Sequence, residues 1–296
     1  MMNAIMNAAG TWMWNNRTHG ELKWTTIETE HFNIHYHQNL DKIAIQGASI
    51  AEQIRPTLMK QMGLESLPTL DIIFTAEDEV LNGFAVPANY TIIWVDQNDA
   101  ALWTGDEKWL RTVLAHELQH LVYFNTVKGP WWLPEPMNSL VHGTPAWIVE
   151  GIAEYFTEEW RPFRYELSHR YHVLRNTVHK IQDPHNDGYS KSLYLADRFG
   201  DSTISKILNH RNKFKFLDFK ESFKKHTGIT LKQFNEDWRR QMNTFYFSQR
   251  SQKERLEDAG VIRKLPIKRV LSFDYFSDTS RIAMITRLSK GQYDLS

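Results

Sequence analysis

Asp106-Glu107-Lys108-Trp109-Leu110-Arg111-Thr112-Val113-Leu114-Ala115-His116-Glu117-Leu118-Gln119-His120-Leu121-Val122-Tyr123-Phe124 decides how this chain is read. Trp109, Leu110, Val113, Leu114, Leu118 and Leu121 form a broad apolar arc at helical period, and Asp106 and Glu107 put acid in the first turn. The spacing predicts a helix from Asp106 to about Phe124. At about 100° per residue, His116 and His120 stand roughly 40° apart at the edge of that arc, with Glu117 beside them. Both imidazoles can meet one ion, which is what tetrahedral zinc needs. The chain has no Cys, so disulfides, a thiolate nucleophile and Cys-ligated metals are excluded, and a transition-metal site must draw on His and carboxylates.

Downstream residues narrow the class. A metzincin continues with Gly three residues after the second His and a third His three further on, but Tyr123 and Thr126 stand there. Thr144-Pro145-Ala146-Trp147-Ile148-Val149-Glu150-Gly151-Ile152-Ala153-Glu154-Tyr155-Phe156 reads as a second helix, with Thr144 as N-cap and Pro145 at the first helical position. Glu150 and Glu154 share one face of it. On an otherwise apolar helix two inward carboxylates are costly unless paired or metal-bound, which favours a site over a surface stripe. Gly151 is expected to let this helix approach the His116/His120 helix closely.

Trp147-Ile148-Val149-Glu150-Gly151 resembles the Trp-x-x-Glu-Gly stretch of the gluzincin metallopeptidases, which carries their third ligand on the helix after His-Glu-x-x-His. The resemblance implies zinc held by His116, His120 and Glu150, with Glu117 as general base and Glu154 orienting a ligand His through its free ring nitrogen. Glu154 and His142 are the alternative third ligands. The His120 to Glu150 gap is longer than in compact members, and the extra stretch, Lys128 to Gly143, rich in Pro, Gly and Trp, is expected to be a loop beside the cleft. Gly188-Tyr189-Ser190, a helix to Phe199-Gly200, an Asp201-Ser202 cap, and Phe223, Thr227-Gly228-Ile229-Thr230, Phe234 and Trp238 are similar to the helical half of the same group, so the likeness runs from about Thr25 to Met242. It implies an oxyanion donor from that half, Tyr189 first and His210 after it. The implied reaction is hydrolysis of peptide or protein substrates by a zinc-activated water whose proton Glu117 accepts. A different class, a zincin-like binding scaffold without catalysis, would be expected to lack the base or a ligand, and this chain keeps them all.

The first 100 residues read as strands around one helix. His31 to His37 alternates, placing Phe32, Ile34 and Tyr36 on one face and His31, His35 and His37 on a solvated one. A helix is predicted from Asp41 to Met62, closed by Gly63, then strands at Leu70 to Phe74 and Thr91 to Val95 separated by Gly83, Pro87 and Asn89. Asn82-Gly83-Phe84-Ala85 is either an ordinary edge strand or one that pairs with an extended substrate. The expected fold is α+β and zincin-like in two lobes: a small mixed sheet with the His-Glu-x-x-His helix, a mainly helical second lobe and a short β tail.

The 35 Lys and Arg balance the 35 Asp and Glu, which removes the general electrostatic case for nucleic acid or an anionic membrane, although a local patch survives that argument. No window is apolar enough for a transmembrane helix, and Met1 to Trp14, without a basic start, makes a poor signal peptide. The expected divisions are an arm over 1–25, the sheet lobe over 26–130, the helical lobe over 131–258 and a β tail over 259–296. After a charged helix ending near Ala259-Gly260, Val261 to Leu265, Phe273 to Asp278 and Arg281 to Ile285 have strand and turn chemistry. Phe276 to Ala283 resembles the opening of a blade in β-propellers such as those of Tol-type periplasmic proteins. The resemblance implies a periplasmic or secreted protein whose full chain continues into a propeller.

Overall fold

In Phe32–His37 the period-2 pattern makes a strand, and Phe32, Ile34 and Tyr36 point into the core. The computed structural model describes residues 21–76, 82–95, 107–157, 163–178, 184–254, 258, 260, 270–289 and 292–295. Five strands, β1 (Trp24–Glu28), β2 (Phe32–His37), β3 (Leu70–Thr75), β4 (Asn82–Val86) and β5 (Tyr90–Trp94), form one sheet in the order β1-β2-β3-β5-β4. The β2/β3 and β3/β5 pairs are parallel, while β1/β2 and β4/β5 are antiparallel, so the sheet is mixed as expected. β1 and β4 are its edge strands.

The face of β2 opposite the core is not a solvated row. His31 Nδ1 lies 2.8 Å from a Glu52 oxygen and His35 Nε2 lies 3.2 Å from Asp71. His37 is buried, with Nε2 accepting the Ala76 N–H at 3.2 Å and its ring edge-on to Trp24. Carboxylates on the neighbouring helix and strand take up the imidazoles that the alternation turns outward.

Helix α1 (Asp41–Met62) ends at Gly63, whose φ of 69° lets its N–H and that of Leu64 return to the Lys60 and Met59 carbonyls. Helix α2 (Glu107–Thr126) follows the apolar arc, with Leu110, Leu114, Leu118 and Leu121 buried; Asp106 lies outside the described residues. Lys128 to Gly143 is not a plain loop, because Glu135–His142 forms helix α3. Its prolines, Pro134 at the N-cap and Pro136 in the first turn, sit where no intrahelical N–H is required.

The remaining helices are α4 (Ala146–Thr157), α5 (Phe163–Leu174), α6 (Pro184–Phe199), α7 (Ser202–Asn209), α8 (Phe219–Thr227) and α9 (Leu231–Ser251). Phe219, Phe223, Phe234 and Trp238 belong to the core that joins this helical half to the sheet. Thr230 and Gln233 open α9 with reciprocal bonds, the Thr230 N–H to the Gln233 side chain at 2.9 Å and the Gln233 N–H to Thr230 Oγ1 at 3.2 Å. Asp201 does not cap α7: its backbone is already helical, and its carboxylate accepts the Tyr155 hydroxyl at 2.8 Å.

The chain divides into two compact units, Met1–Phe247 and Ser248–Ser296. Sheet and helical half therefore share one unit, and Trp24 and Thr25 of the expected arm already belong to β1. Helix α9 stops at Ser251, where the N–H groups of Gln252 and Lys253 turn back three residues and tighten the helix end; Asp258 is again helical, and 255–257 and 259 lie outside the described residues. In the second unit, β6 (Val270–Phe276), β7 (Arg281–Ser289) and β8 (Gln292–Leu295) form an antiparallel meander; Val261 to Leu265 lies outside the described residues. The protein is α+β, with a small mixed sheet, a helical half and a short β tail. No helix among the described residues is long and apolar enough to cross a membrane.

Candidate metal centre

Helical spacing alone brings the His116 and His120 rings together, with centroids 4.8 Å apart and planes nearly perpendicular. Their Nε2 atoms are 3.1 Å apart. Glu150 reaches them from α4, one of its oxygens lying 3.6 Å from His116 Nε2 and 3.3 Å from His120 Nε2. Glu154, one turn further along α4, is buried; it stands 3.9 Å from His116 Nδ1, beyond hydrogen-bond reach. Its 2.9 Å contact is with Nδ1 of His185, in the first turn of α6. His185 Nδ1 is also 3.5 Å from the Glu150 oxygen, and its ring lies roughly parallel to that of His116.

His185 did not enter the sequence reading, which named Gly188-Tyr189-Ser190 and a helix to Phe199-Gly200. Pro184 as a helix-opening residue, with His185, Gly188 and Tyr189 at helical spacing, was the available signal. The packing of α4 on α6 then decides the matter. A Cβ on Gly188 would lie 2.8 Å from Gly151 Cα, and one on Gly151 would lie 2.7 Å from Gly188 Cα. Gly151 thus serves a close crossing of α4 with α6 rather than the expected approach to α2, and that crossing sets Glu154 against His185.

Two other histidine candidates, His142 and His210, are not part of the cluster. His142 is buried and accepts hydrogen bonds at Nδ1 from the Thr144 N–H and hydroxyl, at 3.2 and 2.8 Å. Burial, with Arg211 nearby, pushes it down to about 4, so it is a neutral acceptor ahead of α4. The His210 ring packs against His226. Tyr189 is buried, with its ring 6.4 Å from that of Tyr155.

Glu117 is buried beneath β4. A Cβ at Gly83 would fall 2.7 Å from its Oε1, so only glycine leaves room for the carboxyl there, and the Ala85 backbone hydrogen-bonds to it. Burial pushes the Glu117 carboxyl up, against the opposing pull of His116 and His120. Burial also opposes ionisation of Glu150, but His120 and His116 outweigh it and hold its carboxyl far below the usual range. At His120 the burial penalty is outweighed by Glu150, Glu117 and Glu154, which push the imidazole up to about 9.

The donor set fits zinc. Ligands at about 2.0–2.1 Å around a tetrahedral ion are separated by about 3.3 Å. The two Nε2 atoms and the Glu150 oxygen form a triangle with edges of 3.1, 3.3 and 3.6 Å, the size of one face of such a tetrahedron. His116, Glu154 and His185 offer a second set of atoms at metal-binding separations. Because His120 in the metal-free protein binds a proton below about pH 9, an incoming ion must displace it. Zinc affinity, measured by competition with an indicator, is expected to rise about tenfold per pH unit from near neutrality and to level off above about 9. A pH-independent affinity contradicts this.

No protein-family model and no curated protein matches the chain. Among solved structures, an aminopeptidase N family protein from Idiomarina loihiensis is similar at 14% identity and a TM-score of 0.45, with 74% of this chain and 46% of that chain covered. The chain thus spans less than half the length of that protein.

Proposed function

We propose that this chain is a zinc-dependent peptidase of the gluzincin kind, with His116, His120 and Glu150 as ligands and Glu117 as general base. The observation that carries the reading is the ligand triangle at tetrahedral spacing, with a buried carboxyl from the same helix turn beside it. Zinc, when bound, supplies the Lewis acidity that makes a water nucleophilic at neutral pH. Glu117 accepts that water's proton and delivers it to the leaving amine. Burial favours its protonated form and the Ala85 hydrogen bond its ionised form, which suits a group that must do both. β4, an edge strand of the sheet beside Glu117, is where an extended peptide would pair by strand addition.

Tyr189 and His185 are the two candidates for oxyanion donor. We assign the role to His185, whose Nδ1 is fixed by Glu154 beside Glu150 while two-fifths of the side chain stays open to solvent. Glu154 accordingly positions His185. His185→Gln is expected to lower turnover by about 10²-fold with zinc content retained, and Tyr189→Phe to change it little; the reverse order returns the role to Tyr189.

The reading as a whole is tested by zinc quantitation beside a peptide-mixture assay. Activity that a chelator removes and zinc restores is the expected result. A fully zinc-loaded protein that cleaves none of the peptides contradicts it.

A further inference from the structure

The connection from α2 to α4 holds large apolar side chains in water. Trp131 is 96% exposed and Trp132 54%, and α3 turns Met137, Leu140 and Val141 outward, with Leu140 76% exposed. This is a built element. Asn138, on the inner side of α3, is fully buried and donates to the Val127 carbonyl at 3.1 Å, and a Cβ on Gly129 would lie 2.8 Å from its Cγ.

A second apolar tip rises from the same end of α2. Arg211 donates to the carbonyls of Thr126, the last residue of α2, and of Leu208. The loop that follows is closed by Asn212, whose N–H donates to the Phe216 carbonyl at 3.0 Å and whose side-chain oxygen accepts the Phe214 N–H at 2.9 Å. Phe214 is left 59% exposed at the tip, with Lys213 Nζ 5.0 Å from its ring centre. Lys128, Lys213 and Lys215, in the same two segments as these aromatics, are all exposed. The acids in the same segments are Glu135, on α3, and Asp218, whose carboxylate caps α8 by accepting the Glu221 N–H.

We propose that this end of the molecule docks on an anionic lipid surface. Trp131, Trp132, Leu140 and Phe214 enter the boundary between headgroups and acyl chains, and Lys128, Lys213 and Lys215 meet the lipid phosphates. The combination selects a bilayer over a protein partner, because lysine is depleted from protein interface cores, whereas tryptophan with flanking lysine suits the membrane interface. Charge complementarity acts here locally, since the chain as a whole is neutral.

Cosedimentation of the full chain with vesicles tests this. Strong binding is expected to phosphatidylcholine vesicles containing phosphatidylglycerol, falling with added salt, and much weaker binding to phosphatidylcholine alone. Lys213→Gln with Lys215→Gln is expected to weaken binding about thirtyfold. Trp131→Ser with Leu140→Ser is expected to abolish it, with unchanged circular dichroism because these side chains touch little of the core. Absence of binding to the anionic vesicles, or equal binding by both variants, overturns the proposal. So does wild-type self-association in sedimentation velocity that the Trp131/Leu140 variant removes, which assigns the patch to a second copy.

Discussion

Glu117→Gln is expected to leave one zinc per chain while lowering peptide hydrolysis by about 10²- to 10⁴-fold. The substitution keeps the size of the side chain and its place under Gly83, and it touches no proposed ligand, so metal content and fold should be unchanged. What it removes is the ability to accept a proton. Burial and the neighbouring carboxylate of Glu150 both raise the Glu117 carboxyl, while the two imidazoles lower it. A neutral amide in that pocket is therefore well tolerated but chemically inert. Comparable turnover by the mutant and the wild type at equal zinc content would remove Glu117 from the mechanism.

The second large effect is structural. Gly188→Ala is expected to destabilise the protein by about 3 kcal/mol, which lowers Tm by roughly 10 °C in a domain of this size. The added Cβ meets the Gly151 backbone of the facing helix, and backbone cannot swing aside as a flexible side chain does. Lys191, one turn along α6, would move with it. That ammonium pairs with Asp187 at 2.7 Å and lies over the rings of Trp147 and Trp238. Because the crossing also sets Glu154 against His185, zinc affinity should fall together with Tm. Thermal melting indistinguishable from wild type would mean that the helices separate at little cost.

Much of the fold is legible where one local rule dominates. Asp41 and Gly63 bound α1 because acid favours a helix start and Gly63 adopts the left-handed closing turn. Alternation fixes β2 and β3 because each has a face in the core. The His116/His120 pair follows from one helical turn. What was not legible depends on partners distant in sequence. The histidines of β2 meet Glu52 and Asp71, and Asp201 is taken by Tyr155 instead of capping its helix. The Pro-rich composition around α3 hid a helix whose prolines all lie at its start. His185 joins the cluster through Gly151 meeting Gly188, a contact between helices that no periodicity within either segment specifies.

The most direct test of the central claim is the position of the metal itself. Zinc-edge anomalous scattering from crystals of the zinc-loaded protein is expected to give one peak at about 2.0–2.2 Å from both His116 and His120 Nε2 atoms and a Glu150 oxygen. A zinc peak elsewhere, or one at the two histidines with Glu150 turned away, would contradict it.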